Sequence, residues 1–322
     1  MNGTTRKSSN KEDAARILTV DWAERKVREY QGMFANDDET YEEKLYELVD
    51  LVLEQKQVVG TDNSFHNFAL NFSRRDDSLT ACEILDKGLL LFPNNTDLLA
   101  DYLQMGSECG LFDRCAECFK QLMSIRYDIW TWRAFSFSID YLLLLCTGVG
   151  SDIQLNELKS QALNLVQEYR KQKPEEEGSF CSEADIYVAF NMHQEKIQVL
   201  KAGIETCPSS PKCSLRLADI LFDQGDYQEA RNVLQKLTAM VGSQERVNRA
   251  YVYYLLGLSK YALCISMDDY SEETVMDIYD DFSIAFLLKL QSDAYRSNMK
   301  KCIKILEKKS KKEYPEDSDF DD

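Results

Sequence analysis

Apolar residues recur at intervals of three and four along most of the chain, in segments of roughly 12–18 residues broken by brief polar turns such as RRDD, FPNNTD and FDQGDY. That spacing gives each segment one apolar face, so the segments read as amphipathic helices joined into antiparallel hairpins. Two stretches share more than periodicity. EILDKGLLLFPNN at 83–95 and QVLKAGIETCP at 198–208 both set Leu, Gly and Pro at the same spacing, as Leu85, Gly88, Pro93 and Leu200, Gly203, Pro208. With only 5 prolines in the chain, a proline-terminated helix end recurring 115 residues later predicts an underlying period.

The segment LADILFDQGDYQEARNVLQKL at 217–237 supplies the period, because it resembles the tetratricopeptide repeat, a 34-residue helix-turn-helix unit. With Ala230 at position 20, Leu217, Ala218, Leu221, Tyr227 and Leu234 fall at 7, 8, 11, 17 and 24, and the unit runs 211–244. Pro93 at position 32 sets a unit at 62–95 that places Phe65, Phe68, Ala69, Phe72, Ala81, Leu85 and Gly88 at 4, 7, 8, 11, 20, 24 and 27. The next, 96–129, carries Leu99, Tyr102, Gly110, Phe112, Cys115, Phe119 and Leu122, and Pro208 sets another at 177–210. Small residues at 8, 20 and 27 let helices approach closely while large apolar neighbours fill the flanks. Proline at 32 ends the second helix, Ser210-Pro211 reads as an N-cap followed by a first-turn proline, and Asp226 with Glu229 reads as a capping box.

The resemblance implies an all-α fold, a right-handed superhelical solenoid of helix-turn-helix hairpins. Three periods leave 13 of the 115 residues over, which predicts an insertion at about 147–158 within a unit at 130–176, with its first helix at 130–146 and a loop carrying Gly148, Val149 and Gly150. Residues 245–292 suit a divergent sixth unit, with Leu256 and Gly257 at 7 and 8. Helices at 12–34 and 40–57 are expected to cap the first unit, and 293–312 to cap the last, because a terminal hairpin otherwise exposes an apolar face. Residues 1–11 and the acidic stretch 313–322 read as disordered tails.

Composition narrows the partners. A chain of 322 residues with 44% hydrophobic and 11% aromatic content can bury a sizeable core. Its 38 basic and 55 acidic residues give a net charge of -17, which opposes a phosphate backbone, so direct nucleic-acid binding is not expected. The opening MNGTTRKSSNKEDAAR lacks the apolar run of a secretory signal and IDYLLLLC is too short to span a bilayer, so the expectation is a cytoplasmic protein off the membrane. The 10 cysteines, spread through an apolar-rich chain, read as reduced and mostly buried thiols.

No residue pattern converges on catalysis, a cofactor or a metal. His66 and His193 lack metal-ligand spacing, and Cys109, Cys115 and Cys118 form C-x5-C-x2-C with no fourth ligand nearby, Cys115 already filling a small packing position. The GVG at 148–150 lacks the lysine of a phosphate loop, and acidic pairs such as Asp219 and Asp223 are too common in this chain to mark an acid-base site. Trp130, Trp132, Phe135 and Phe137 read chiefly as core. Ser318, ahead of Asp319 and Asp321, resembles an acidophilic kinase site.

In the family that the repeats resemble, positions 2, 5, 9, 12 and 13 of the first helices line a groove that takes a partner's peptide. Carried over, the candidate groove residues are Asn63, His66, Leu70 and Arg74; Asp97, Gln104 and Glu108; Ser138 and Tyr141; Asp185 and Val188; and Asp219, Phe222 and Asp223. Leu70 stands where the chaperone-binding branch carries asparagine, so a carboxylate clamp is not expected. An acidic and apolar groove favours a basic or apolar protein segment. The reading is a non-catalytic adaptor or scaffold that supports assembly of a complex; the alternative is a peptide-sensing regulatory receptor whose effector output is supplied in trans.

Overall fold

The computed structural model describes residues 19–55, 58–148, 150–208, 211–240, 248–288 and 292–313. The expected tail at 1–11, residues 12–18 of the first expected helix, Val149, the Ser210 cap, and residues 314–322 with Ser318 lie outside them. Among the described residues there are fifteen α-helices, one 3-10 turn and, as the sole β feature, an isolated bridge between Thr19 and Val59. The chain divides into two compact units, one ending at Leu158 and the other beginning at Lys159.

The first unit contains α1 (Val20–Met33), α2 (Asp38–Leu53), α3 (Asp62–Ser73), α4 (Ser78–Leu91), α5 (Thr96–Glu108), α6 (Phe112–Met123), α7 (Trp132–Thr147) and the start of α8 (Asp152–Gln172). The second continues α8 and adds α9 (Glu177–Ala189), α10 (His193–Thr206), α11 (Pro211–Asp223), α12 (Tyr227–Met240), α13 (Arg249–Met267), α14 (Glu272–Leu287) and α15 (Asp293–Glu313). Within each unit the helices pair into hairpins, α3 with α4, α5 with α6, α9 with α10, α11 with α12, α13 with α14. First helices then stack on first helices, α3 on α5 and α5 on α7, and α9 on α11. The α1–α2 pair joins the same scheme, with α1 against α3 and α2 against α4.

A shared backbone device closes five of these hairpins. The turn between first and second helix passes through one left-handed residue, Asp76, Gly110, Asn191, Gly225 or Asp268, at φ 61, 79, 56, 82 and 54°. The next residue's N–H then reaches back five residues, from Asp77 to Phe72, Leu111 to Gly106, Met192 to Tyr187, Asp226 to Leu221 and Asp269 to Cys264, at 2.8–3.1 Å. This is a Schellman closure, which satisfies carbonyls left open at the helix end. Glycine takes the left-handed conformation without a Cβ penalty, while asparagine and aspartate tolerate it. The α7–α8 connection lacks the device, Gly148 having φ -94°.

The expected insertion is helix rather than loop over most of its length. Helix α7 ends at Thr147 and α8 begins at Asp152, so 152–158 form the first two turns of a 21-residue helix. The physical reason is local: DIQLNEL follows Gly150 with no further Gly or Pro, and Asp152 sits in the first turn, where its charge favours the helix N-terminus.

The core explains why small residues recur. Ala69, Ala184 and Ala218, and Ala81, Cys115, Ala162 and Ala230, are all buried among Phe65, Phe68, Phe72, Leu85, Tyr102 and their counterparts. At Gly88 an added Cβ would lie 2.9 Å from the Phe65 ring and 3.2 Å from Leu98; at Gly203 it would lie 2.9 Å from Phe180 and 2.8 Å from Cys213 Sγ. Each glycine of a second helix thus rests on the aromatic residue of its own first helix and on the first helix of the following hairpin.

Polar links stitch first helices together at their N-termini. Thr61, N-cap of α3, donates to Asp21 of α1 at 3.2 Å; Asn95, N-cap of α5, donates to Asp62 of α3 at 2.7 Å; Thr131, N-cap of α7, donates to Asp97 of α5 at 2.5 Å. In the second unit Glu177 of α9 accepts from the backbone N–H groups of Lys212 and Cys213 in α11. Each carboxylate lies in a first turn, favoured by the helix dipole, and fixes the entry of the next first helix.

Three substitutions test this packing by urea denaturation. Gly203→Ala should cost about 1–3 kcal/mol through overpacking, and Gly225→Ala about 1–2 kcal/mol through the left-handed turn. Asn191→Gly, at the equivalent turn, should leave stability unchanged or slightly raised.

Candidate partner-binding site

In the first unit, residues from α3, α5 and α7 meet in a charged trio. His66 Nδ1 lies 2.5 Å from Asp101 Oδ2, and Arg133 lies 3.5 Å from Asp101 Oδ1 and 3.1 Å from His66 Nδ1. One ring nitrogen cannot both donate to the carboxylate and accept from the guanidinium, so the short contact assigns the Nδ1 proton to the bond with Asp101. The Asp101 side chain is 2% exposed, and a carboxylate that buried requires such partners. His66 is therefore engaged inside the stack, bridging successive first helices.

One turn further along α5 and α7 lies a cavity of about 190 Å³, lined by Leu103, Gln104, Ser107 and Glu108 on one side and Phe137, Asp140, Tyr141 and Leu144 on the other. Three expected groove residues, Gln104, Glu108 and Tyr141, meet here. Tyr141 is buried, with its ring 5.5 Å from Phe119, and burial raises its hydroxyl pKa. Glu108 accepts from Ser78 Oγ at 2.6 Å, which anchors the carboxylate at the cavity edge. Asp140 keeps exposed surface, yet the side chains around it exclude enough water to push its carboxyl above the usual range. Two carboxylates and no basic residue line the cavity. Leu103, Phe137 and Leu144 supply apolar lining.

Asn63 and Arg74, also expected in the groove, are exposed at the start and C-cap of α3, away from this cavity. Asp97 belongs to the N-terminal ladder, and the Ser138 hydroxyl donates back to the Ala134 carbonyl at 2.7 Å.

In the second unit two expected groove residues, Asp185 and Asp219, bond to the first helix that follows their own. Asp185 of α9 pairs with Arg216 of α11. Asp219 accepts from the Tyr251 hydroxyl of α13 at 2.7 Å; burial raises its pKa, the Tyr251 bond opposes the rise and Asp223 adds to it. Phe222 is half-buried, its ring 5.2 Å from Tyr227, and packs on the unit's core. Asp223 is exposed, as is Val188. Beside Asp219, Tyr251 and Tyr254 of α13 meet Tyr295 of α15 at 5.6 and 4.7 Å between ring centres.

Sequence reasoning missed Asp101, Arg133, Asp140, Arg216 and Tyr251. A signal existed for several. His66 and Asp101 are 35 residues apart, Asp185 and Arg216 31, Asp219 and Tyr251 32, each close to one period. Phe137, Asp140, Tyr141 and Leu144 follow the spacing of one helix face.

The cysteines of the C-x5-C-x2-C stretch pack rather than gather. Cys115 and Cys118 are buried, burial raises both thiols, that of Cys118 to about 12, and Cys115 Sγ lies where a Gly106 Cβ would come within 2.7 Å. Among the described residues no three His, Cys, Asp or Glu side chains come together as a metal site. No helix among them is long and apolar enough to cross a membrane.

No family model matches the sequence, and no curated protein matches it. The solved structures that it resembles include tetratricopeptide-repeat proteins. One from Thermus thermophilus is 13% identical over 63% of this chain and 99% of that chain, with a TM-score of 0.46. One from Parabacteroides merdae is 14% identical over 88% and 99%, with a TM-score of 0.46. The C-terminal part of one from Cytophaga hutchinsonii is 12% identical over 79% and 96%, with a TM-score of 0.48. At that level of likeness, the hairpin packing of the chain itself is what makes it an array of tetratricopeptide-like repeats.

The raised carboxyl of Asp140 gives a stability signature. An acid whose folded pKa exceeds its unfolded value binds protons more readily when folded, so its unfavourable contribution is present at neutral pH and is relieved as pH falls through the folded pKa. Asp140→Asn should raise the melting temperature at pH 7, and that advantage should disappear below the ordinary carboxylate range; the two melting curves at each pH decide it.

Proposed function

We propose that the chain is a non-catalytic adaptor that holds a segment of a partner protein on its first helices, and that the cavity between α5 and α7 takes a lysine or arginine side chain of that segment. The cavity carries the reading. Leu103, Phe137, Tyr141 and Leu144 suit an aliphatic stem, while Glu108 and Asp140 suit the cationic head that such a stem presents. Asp140 is held in surroundings that penalise its charge, and a bound cation offsets that penalty. A carboxylate that is penalised in the folded protein yet lines a cavity, as Asp140 does, fits a binding role.

The net charge of -17 supports a basic partner segment over nucleic acid. Ten cysteines in an apolar-rich chain support a reducing compartment, and we place the protein in the cytoplasm.

Selection of displayed random peptides against the full chain tests this. Recovered peptides should be enriched in lysine or arginine at one fixed position, and Asp140→Asn should weaken their binding about tenfold, the scale of losing one charge-assisted contact. Binders lacking basic residues, or binders indifferent to Asp140→Asn, would sink the cavity assignment.

A further inference from the structure

We propose that Cys181 and Cys213 form a dithiol site that a hydroperoxide oxidises reversibly to a disulfide joining α9 to α11. The two Sγ atoms lie 3.6 Å apart although the residues are 32 apart in the chain. They face each other across neighbouring first helices of one unit, and a bond requires the sulfurs to close from 3.6 Å to about 2.05 Å.

The surroundings distinguish this pair from the other thiols. Asp185 lies one turn beyond Cys181 on α9, and Arg216 lies one turn beyond Cys213 on α11. Their ion pair therefore sits beside the sulfurs. Cys213's hydrogen bond lowers the Cys181 pKa, burial opposes this, and the Arg216 charge lowers it further. Burial instead raises the thiols of Cys82, Cys115, Cys118, Cys146, Cys207 and Cys302. The thiolate is the nucleophile, so Cys181 is the member that reacts first. Its 9% exposure, against 0% for Cys213, points the same way, since hydrogen peroxide is scarcely larger than water.

The chemistry balances with one peroxide. The Cys181 thiolate attacks one peroxide oxygen, the O–O bond breaks, and hydroxide leaves with the proton that the thiol gave up, forming water and a sulfenic acid. Cys213 sulfur then attacks the sulfenyl sulfur; the S–O bond breaks, the S–S bond forms, and the departing hydroxide takes the Cys213 proton as a second water. Two thiols are oxidised by two electrons and one peroxide is reduced. A dithiol reductant reverses the step by exchange. The product ties together the helices that carry Asp185, Asp219 and Asp223, so it fixes the spacing of that face of the unit.

The test treats the full chain with hydrogen peroxide, alkylates the remaining thiols in denaturant, and maps unreduced peptides by mass spectrometry. The expected result is a loss of two hydrogens, eight alkylated cysteines of the 10, and one cross-linked peptide containing Cys181 and Cys213, all reversed by dithiothreitol. With Cys213→Ser, dimedone should capture a sulfenic acid at Cys181, while Cys181→Ser should leave Cys213 unlabelled. Arg216→Gln should slow disulfide formation severalfold. Full alkylation of Cys181 and Cys213 after peroxide treatment that oxidises other cysteines overturns the proposal, as does a disulfide that pairs either with a different residue. The wild-type peptide map decides this even if a variant fails to fold.

Discussion

How closely two helices can approach governs the rest of this structure. Gly88 on Phe65, Gly203 on Phe180 and Gly257 on Phe282 each leave room for no further methyl, since an added Cβ would fall 2.7–2.9 Å from the facing ring. Contact at that range brings whole ridges of side chains into van der Waals register, and the sum of those small attractions is what a thin two-helix layer has in place of a deep core. An aromatic ring opposite a missing side chain is thus the unit of construction, used in both halves of the chain.

Close packing of apolar faces fixes spacing, and the polar features add alignment at the helix ends. The left-handed turn with its five-residue closure sets where five of the first helices end, and the first-turn carboxylate that holds the next N-cap sets where α3, α5 and α7 begin. The turn closure uses backbone groups that a helix terminus leaves unsatisfied anyway, while the ladder joins a first-turn carboxylate to an N-cap side chain. The His66, Asp101 and Arg133 trio adds a lateral tie across three first helices.

Positions that line a groove in a family pattern need not be available to a partner. His66, Asp185 and Asp219 stand at such positions, yet each bonds to a residue about one period away on a neighbouring first helix. Gln104 and Glu108 of α5 and Tyr141 of α7 instead line open space, together with Phe137, Asp140 and Leu144 of α7. The same geometry that brings Asp185 to Arg216 brings Cys181 to Cys213, one turn earlier on the same two helices.

The sequence alone was sufficient for the helical class, the 34-residue period and the small packing positions, because apolar spacing, proline and glycine report local conformation directly. It predicted a 13-residue excess near 147–158. It could not show that the excess lengthens α8, nor that Asp76, Asn191 and Asp268 do the work of glycine in the turn, since neither departs from what a loop or a solvated surface would contain. Only the tertiary structure decided which polar side chains pair with one another and which face an open cavity. That outcome depends on distances of a few ångströms between helices a full repeat apart, and a linear pattern fixes the repeat but not the last turn of each helix.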